Sequence, residues 1–490
     1  MDEQRMNRNK NINRGFRKSS AAMHSYPGNS FSAALKALIL LSPLPFGCVG
    51  EIFSPLFFLL LLIVTFIGLK QPEEKSHILY EKWLRRLFYC FLVFLGFQVI
   101  PLPVFLLKIL SPGAVNILSS LEDRLPAFHP ISLVPFETMV YGFQFLVFGL
   151  FFLVMIDIKL GKREMISLVN TVVLSSVIQV IFAFLKYAQG NRYFFLLFHP
   201  YEGSEKLRYR LTGTLGNSDH FAFYLEMILP LVLGLFFVNL KFFERGLSLR
   251  EKFLAIVNES KGIVLYFIAV IFLGVGIILT GSRGGVSTMI LSGIIFALFS
   301  AYLRFSAEVQ QKLKIIFILI LCLVLVIGVQ NTVERFLKTN IDEENRFNTR
   351  WPGTIAMFYD FPLLGTGFGT FRYSYYLYDN ERGGQWTTHA HNDYLEALSD
   401  GGIAGGILLF SLLGMTIVSF YRMWWKRRRP EVKMLGLGIT ISLFAVIFHS
   451  VFDFSLRIPS NAFIFVLLLA LGMKIANYHK REEKSRNDEE

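Results

Sequence analysis

Long apolar stretches separated by short polar segments run through almost the whole chain. Each is close to the roughly 20 residues that a helix needs to cross a bilayer. Because the stretches are continuous rather than alternating, they predict transmembrane helices and exclude a β-barrel. We expect about twelve spans, at 32–48, 52–70, 85–107, 137–157, 164–187, 218–240, 262–280, 284–303, 313–330, 400–421, 433–450 and 459–477.

Composition supports an all-α polytopic membrane protein. Hydrophobic residues make up 53% of the 490 and charged residues only 17%, against roughly 25% charged in soluble domains. The net charge of +13 falls mostly in short loops, where it sets topology, so we expect no nucleic-acid partner. Cys48, Cys90 and Cys322 lack metal-ligand spacing and are interpreted as small core residues. The N-terminal arm is polar and basic, so we expect no cleavable signal peptide there.

The distribution of positive charge predicts the orientation. Basic residues recur in every second connection between spans, which places those connections and both termini in the cytoplasm. The predicted organisation is a basic cytoplasmic arm over 1–31, spans one to nine over 32–330, a large periplasmic loop over 331–399, spans ten to twelve over 400–477 and a cytoplasmic tail over 478–490.

The opposite, periplasmic side is rich in arginine and poor in lysine. A guanidinium keeps its charge and binds oxyanions through two parallel hydrogen bonds, so this bias favours an anionic ligand such as a phosphate. Snorkelling at the interface, or pairing with loop carboxylates such as Asp360, is the simpler explanation for any single arginine. The exterior arginines are Arg192, Arg208, Arg210, Arg283, Arg335, Arg346, Arg350, Arg372, Arg382 and Arg457.

Two short segments place an arginine close to a span. Arg283 lies in a glycine-flanked turn between the seventh and eighth spans, at a depth where a charge should face a cavity or a partner. Arg210 lies just outside the sixth span, where Asn217 or Ser218 can cap a helix whose first turn attracts anions. Asp219 and His220 can form a local polar pair there. Glu226, inside that span, is expected to pair with an arginine.

The segment from His389 to Glu396 carries the densest candidate chemistry. A neutral imidazole at His389 or His391 can accept a proton from a hydroxyl near neutral pH, with Asn392 and Asp393 orienting the ring. A zinc site is an alternative, since His-x-His with Asp393 or Glu396 supplies three ligands. A helix cap with interfacial histidines is the purely structural alternative.

The connection between the last two spans adds another acid and base at the same face. Asp453 and Arg457 stand four residues apart, so we expect them to pair if this segment is helical. Structural support is the favoured role. The tyrosines of 373–378 suit either sugar faces or the membrane interface.

Four motifs in this order resemble the O-antigen ligase and polymerase superfamily of bacterial envelope proteins. The resemblance spans about 200–460 and is strongest over 280–402. The motifs are Arg210-Leu-Thr-Gly-Thr-Leu-Gly-Asn217, Thr280-Gly-Ser-Arg283-Gly-Gly285, Arg350-Trp351 leading to Asp360-Phe-Pro-Leu-Leu-Gly-Thr-Gly367, and His389-Ala-His-Asn-Asp-Tyr-Leu395 with Gly401-Gly402 after it. His449 to Pro459 is similar to the family's closing motif.

The resemblance implies a fold of the membrane glycosyltransferase (GT-C-like) type, without cofactor or metal, in the bacterial inner membrane. It implies a donor glycan on undecaprenyl diphosphate and a lipid A-core sugar or another glycan as acceptor. By position, Arg210 and Arg283 resemble diphosphate-binding arginines. His391 resembles the base, with His389 as its rival, and Arg346 and Arg350 compete for a third cationic role.

Several functions stay open at this point. Ligase, polymerase and protein glycosylation are alternatives within the superfamily. A transporter or flippase for a lipid-linked sugar is the rival from another class, and a zinc-dependent membrane hydrolase is the third. The flippase interpretation needs ionisable residues through the spans, whereas here they gather at one face.

Overall fold

The computed structural model describes residues 28–73, 78–121, 124–188, 193–194, 197–198, 210–239, 261–303, 346–379 and 387–487. Helices dominate these ranges, with two antiparallel pairs of two-residue strands. The elements are α1 (Gly28–Leu41), α2 (Phe53–Leu69), α3 (Glu81–Val99), β1 (Leu102–Pro103), α4 (Val104–Leu110), α5 (Pro112–Leu121), β2 (Phe128–His129), α6 (Pro135–Asp157), α7 (Lys162–Ala188), β3 (Tyr193–Phe194), β4 (Leu197–Phe198), α8 (Ser218–Asn239), α9 (Lys261–Leu279), α10 (Arg283–Tyr302), α11 (Trp351–Asp360), α12 (Phe371–Ser374), α13 (Asp393–Trp425), α14 (Pro430–His449) and α15 (Pro459–Asn487).

The predicted all-α polytopic character is confirmed. In the described ranges, eight helices are long and apolar enough to cross a membrane, namely α6 to α10 and α13 to α15. The apolar α1 and α2 are shorter, and α3 overlaps the third predicted span. The ninth predicted span, 313–330, lies outside the described residues, so the count of twelve stays a prediction.

Two spans differ from their predicted bounds. The third ends at Val99 rather than 107, because Pro101 and Pro103 cannot continue a helix and the chain forms β1 instead. The tenth begins at Asp393 rather than 400. The carboxylates at 393, 396 and 400 therefore lie on its first turns.

Proline starts several of the spanning helices. Pro135, Pro430 and Pro459 each stand at the first position of a helix, where the missing N–H has no intrahelical partner to lose. The apolar run that follows each of them forms the span.

The core of the bundle is built around α8. Of its apolar window, 94% is buried, against 28% for α13, so α8 is the central helix and α13 exposes much of its surface. A helix that is apolar on all sides belongs in such a position. It packs along α14, α9 and α10.

One end of the bundle, here called the histidine end, gathers the starts of α8, α10, α13 and α15 and the ends of α9 and α14. A second hydrophobic cluster covers it, formed by α4, α5, α11, α12 and the segment at Ala390. Ala390 is fully buried in that cluster. The covering layer therefore holds the chain directly between the two candidate histidines.

A glycine-rich loop fixes the entry of α13. Gly402 has φ 61° inside that helix, and a Cβ there would lie 2.4 Å from the carbonyl carbon of Leu363. Gly365 has φ 70°, and a Cβ there would lie 2.2 Å from the carbonyl oxygen of Asp400. Hydrogen bonds from Ile403 N to Pro362 O and from Gly367 N to Asp400 O complete the contact. Only glycine permits such backbone-to-backbone approach at positive φ.

Candidate functional site

Three histidines of the described chain surround the ring of Phe454 at the histidine end. His389 stacks on it with ring centroids 4.0 Å apart, while His391 and His220 meet it edge-on at 4.8 Å each. The three come from two parts of the chain: His389 and His391 lie in the segment before α13, and His220 lies in the first turn of α8. Phe454 lies in the connection between α14 and α15, which thus organises the cluster.

His391 is held in a strained conformation next to a carboxylate. Its φ is 53°, a left-handed geometry that costs a non-glycine residue about 1–3 kcal/mol and is common at functional sites. Its Nδ1 lies 3.3 Å from Asp453 Oδ1. An imidazole that donates its Nδ1 proton to a carboxylate leaves Nε2 as the proton acceptor.

Asp453 is a buried carboxylate shared by several partners. Its Oδ2 accepts a hydrogen bond from Ser455 Oγ at 2.6 Å and lies 3.8 Å from His220 Nε2. Burial opposes its ionisation, but the hydrogen bond with His391 and the nearby His220 and His449 hold the pKa of Asp453 well below its usual range. It therefore stays negative and can orient the His391 ring, a role that we expected of Asn392 and Asp393.

Those two neighbours act on the helix instead. Asn392 Oδ1 accepts from the backbone N–H groups of Tyr394 and Leu395, both at 3.0 Å, and so caps α13. The backbone N–H of Asp393 donates to Ser450 O at 2.9 Å. The assignment of ring orientation to Asn392 and Asp393 is therefore corrected to Asp453, because Asn392 caps α13 and the carboxylate that lies next to the His391 ring is that of Asp453.

His389 has its own carboxylate, Glu396. His389 Nδ1 and Glu396 Oε1 are 3.0 Å apart, and Glu396 Oε2 accepts from Ala390 N at 3.0 Å. Glu396 was considered only as a zinc ligand. Its actual contacts orient His389 and fix the backbone between the two histidines. The exposed fractions of the two side chains, 28% for His389 and 26% for His391, do not distinguish them.

Arg457 connects Glu396 to the glycine-rich loop. Its Nε lies 3.2 Å from Glu396 Oε1 and its Nη2 lies 3.6 Å from Asp400 Oδ2. That same Asp400 oxygen accepts from Gly369 N at 2.9 Å. Burial disfavours the charge on Arg457, but Glu396, Tyr141 and Asp400 raise its pKa above the ordinary value.

The pair of Asp453 with Arg457, expected only if this segment is helical, does not form. The segment between them forms only a single 3₁₀ turn, Ser455–Arg457, so the two side chains do not share a helix face. Asp453 turns towards His391 and Arg457 towards Glu396. Each reinforces a different histidine.

Arg210 is held in front of α8 by two acceptors. Its Nε donates to Thr280 O at 2.7 Å and its Nη2 to Asp219 Oδ1 at 3.0 Å. Asn217 Oδ1 accepts from Asp219 N at 2.8 Å, which confirms the predicted cap of α8. The expected local pair of Asp219 with His220 is replaced by the ion pair with Arg210.

Arg283 is the first residue of α10. Ser282 caps this helix by accepting from Gly285 N at 3.2 Å, and its side chain also interacts with Asp219. Asp219 thus connects Arg210 with the start of α10. Arg210 and the N-termini of α8 and α10, the second of which begins with Arg283, therefore lie together at the histidine end. Positive charges and helix N-termini both favour an anion.

A buried pair lies beneath this arrangement. His449 Nδ1 lies 2.6 Å from Glu226 Oε1, and both side chains are at most 2% exposed. The expectation that Glu226 pairs with an arginine is therefore wrong. Arg210 is taken up by Asp219, and α14 brings His449 to Glu226 instead.

The third cationic position is less well connected. Arg350 ends a short π-helical turn, Arg346–Arg350, before α11. Its carbonyl accepts from Thr354 Oγ1 at 2.6 Å, and its Nε is buried without a hydrogen-bond partner among the residues that the structure describes. For Arg346 only the backbone is described. No described contact brings either arginine to the histidines. Arg372, another of the arginines predicted on the periplasmic side, forms an exposed ion pair with Glu137.

The zinc alternative receives no support from the geometry. His389 and His391 turn their Nδ1 atoms to different carboxylates, Glu396 and Asp453. Within the described part of the chain, no group of three or more His, Cys, Asp and Glu residues is arranged to hold a metal ion.

Comparison with known proteins finds a family match in the middle of the chain. Residues 268–410 match the family model described as O-antigen ligase, which supports the resemblance to the O-antigen ligase and polymerase superfamily. The match contains α10, the histidine segment and the start of α13, whereas Arg210, Asp453 and Arg457 lie outside it. No curated protein matches the chain.

Proposed function

We propose, on the premise that residues 268–410 form an O-antigen ligase domain, that this membrane protein transfers a glycan from undecaprenyl diphosphate to an acceptor hydroxyl. The preferred acceptor is a sugar of the lipid A-core. The observation that carries the proposal is the strained His391 beside the ionised Asp453, at the bundle end that also holds Arg210 and Arg283.

His391 acts as the general base. With its Nδ1 proton directed at Asp453, its Nε2 removes the proton of the acceptor hydroxyl as the oxygen attacks C1 of the donor sugar. Such a base typically contributes about 10²–10⁴-fold to the rate. The carboxylate also stabilises the imidazolium that forms.

Arg210 and Arg283 stabilise the departing diphosphate. The bond between C1 and the phosphate oxygen breaks with its electron pair on the diphosphate, and positive groups fixed in advance favour that charge. The ion pair with Asp219 holds Arg210 near the first turn of α10. The proposed mechanism uses no metal ion.

His389, Glu396 and Arg457 are positioning residues. The hydrogen bond from Ala390 N to Glu396 fixes the peptide between the two histidines. Arg457 holds that carboxylate in place while also contacting Asp400. This network fixes the backbone next to His391. His391, with its unusual φ and its contact with Asp453, is the preferred base rather than His389.

The proposed setting is the bacterial inner membrane, with twelve spans, cytoplasmic termini and the histidine end on the periplasmic side. The run Lys426–Arg429 between α13 and α14 lies at the opposite end of the bundle from the histidines. A basic connection there fits a cytoplasmic face.

The decisive experiment replaces His391 in a strain that depends on this protein. His391→Ala should abolish glycan transfer while the protein still reaches the membrane at wild-type amount. His129→Ala is the matched control, since His129 lies in β2 outside the histidine cluster. Normal glycan linkage in the His391→Ala strain would refute the assignment.

Ligase and polymerase give different lipopolysaccharide profiles on deletion. Loss of all long chains from an intact core indicates the proposed ligase, whereas a single repeat unit left on the core indicates a polymerase. If the protein were a flippase, its deletion would leave the donor glycan on the cytoplasmic side. A membrane-impermeant glycosidase added from outside would then fail to cleave that glycan.

A further inference from the structure

His220 is a buried histidine to which the proposed mechanism assigns no role. It stands in the first turn of α8, and its side chain is 8% exposed. Its Nε2 atom is buried and has no hydrogen-bond partner in the ranges that the structure describes. Buried polar atoms in this state are destabilising and therefore rare, so we expect this nitrogen to acquire a partner when the site is at work.

The carboxylate of Asp453 faces this nitrogen. His220 Nε2 lies 3.8 Å from Asp453 Oδ2, about 1 Å beyond the usual length of a hydrogen bond. A small rotation of either side chain closes that gap. Hydrogen bonds of a catalytic site are often long without substrate and shorten when substrate binds, so the two groups are placed to form one.

Asp453 has room for this further contact. Its Oδ1 faces His391 Nδ1 at 3.3 Å, and its Oδ2 accepts from Ser455 Oγ at 2.6 Å. An ionised carboxylate can accept about four hydrogen bonds. Asp453 is only 3% exposed, and a buried charge needs such partners because water no longer supplies them. An N–H group of His220 would occupy one of the remaining acceptor positions.

The ring of His220 is held towards Asp453 by its neighbours. It meets the ring of Phe454, the next residue after Asp453, edge-on at 4.8 Å between centroids. Its backbone carbonyl accepts from Asn461 Nδ2 at 3.3 Å, and Asn461 lies in the first turn of α15. The connection that carries the carboxylate and the helix that follows it therefore both contact His220.

The same turn of α8 also belongs to the arginine side of the site. Asp219, the residue before His220, binds Arg210 at 3.0 Å. His220 and Asp453 thus lie between the arginine and the proposed base. The ionisable groups that act on His220 come from its own turn, from the connection before α15 and from the segment before α13, and they are Asp219, Asp453, His389 and His391.

We propose that His220 is a positioning residue that shares Asp453 with the base His391. Its Nε2–H group donates to Asp453 Oδ2, which keeps the carboxylate from rotating away from His391 and withdraws part of its negative charge. A carboxylate with less charge attracts a proton on a neighbouring imidazole less strongly, so His391 stays neutral until the acceptor hydroxyl arrives. The inference rests on the proposed function only in taking His391 as the base.

Two substitutions separate the N–H group of His220 from its ring. His220→Phe keeps an aromatic ring against Phe454 and has no N–H, whereas His220→Gln loses the ring and keeps an amide N–H near the position of Nε2. We expect kcat to fall about 10–100-fold in His220→Phe, the effect of losing a hydrogen bond to a charged group, with both KM values near wild type. His220→Gln should retain most of the kcat. His129→Phe, outside the histidine cluster, is the matched control and should transfer as the wild type does.

A role in packing alone predicts the opposite order of activities. His220→Phe would then be active and His220→Gln impaired, and this result overturns the proposal, as do equal losses in the two variants. If His220→Phe does not accumulate in the membrane, His220→Asn replaces it, because its amide is one methylene shorter than that of glutamine and is too short to reach Asp453.

Chemical modification of His391 tests the inference without any transfer reaction. Diethyl pyrocarbonate acylates neutral imidazole, and fragmentation mass spectrometry of the full-length protein gives the rate at His391, separately from His389, as a function of pH. In His220→Phe the pH of half-maximal rate should rise by about 0.5 or more, because Asp453 then attracts a proton on His391 more strongly. His220→Gln should match the wild type. An unchanged midpoint in His220→Phe overturns the proposal.

A double variant shows whether His220 acts through Asp453. In the Asp453→Asn background, His220→Phe should no longer move the midpoint of His391 modification, because the group that transmits the effect is absent. A shift as large as in the single variant would overturn the proposed route. If the wild type transfers no glycan, the proposed function fails, while the modification experiment still decides whether His220 controls His391 through Asp453.

Discussion

His449 Nδ1 lies 2.6 Å from Glu226 Oε1, and this contact joins α14 to the central helix α8 directly beneath the histidine cluster. The ring of His449 also lies against the first turn of α10, because Gly284 leaves room for it. This buried pair thus joins α14 and α8 beside the start of α10. Of these three helices, α10 begins with Arg283, α8 carries Asp219, which binds Arg210, and α14 leads into Asp453.

Removing one member of this pair should destabilise the protein. His449→Ala leaves Glu226 buried without its partner, which typically lowers the free energy of unfolding by about 3–5 kcal/mol. The double variant Glu226→Gln with His449→Gln should recover part of that loss, because two amides can share a hydrogen bond. Thermal unfolding of the purified protein in detergent measures both. A double variant less stable than His449→Ala would contradict the pairing.

A methyl group at Gly284 should reduce transfer. In Gly284→Ala the new Cβ would lie 2.8 Å from His449 Nε2, so either the imidazole or the start of α10 with Arg283 must move. Gly274→Ala in α9 is the matched control, since nothing lies within 4 Å of its Cβ position. We expect the control to retain activity and to gain up to about 1 kcal/mol from helix propensity. Equal activity in the two variants would show that this close contact has no functional weight.

Neutralising Asp453 should lower kcat more than it changes KM. Asp453→Asn keeps the size of the side chain but no longer stabilises the Nδ1–H tautomer of His391 or its imidazolium, so we expect a loss of about 10²–10⁴-fold. Transfer kinetics with purified protein provide the measurement. Asp379→Asn, whose side chain accepts a hydrogen bond from Thr387, is the comparison and should remain active. Wild-type kcat in Asp453→Asn would argue against His391 as an oriented base.

Lysine should not replace the arginines of the anion site. Arg283→Lys keeps the charge but loses the planar fork that binds two phosphate oxygens, so we expect a higher KM for the donor and a lower kcat. Arg372→Lys is the control, because its exposed ion pair with Glu137 is of the kind that contributes about 0.2–1 kcal/mol. Full turnover by Arg283→Lys would indicate that charge alone suffices at that position.

Chelation should leave the reaction unchanged. The proposed mechanism assigns proton removal to His391 and charge stabilisation to arginines, and neither step involves a metal ion. Transfer by the purified protein should therefore be the same before and after treatment with a strong chelator. Metal analysis of the treated protein verifies that bound metal has been removed. Activity that is lost on chelation and restored by zinc would favour the hydrolase-type alternative.

The order of spans follows from the sequence for a simple reason. A segment that crosses lipid must satisfy its own backbone hydrogen bonds and expose apolar side chains. A continuous apolar stretch of neighbouring residues, as in α6 to α10, is therefore enough to indicate a span. The caps at Asn217 and Ser282, and the proline that ends α3, are equally local. The candidate histidines were also visible, because polar residues beside a span are costly.

The partners of those residues depend on packing between distant segments. Asp453 and His391 are 62 positions apart, and Glu226 and His449 are 223. No periodicity in the chain distinguishes the pair that forms from the expected pair of Asp453 with Arg457. Which pair forms depends on the packing of α14 along α8. It also depends on the single turn at Ser455–Arg457, which directs Asp453 towards His391 and Arg457 towards Glu396.

The sequence by itself therefore determined that this is a helical membrane protein with histidines and arginines at one face. It did so because burial in lipid and helix capping act over a few neighbouring residues. Only the tertiary structure decided which carboxylate serves which histidine, and that an apolar cavity lies beside them, since both arise where helices from remote parts of the chain meet.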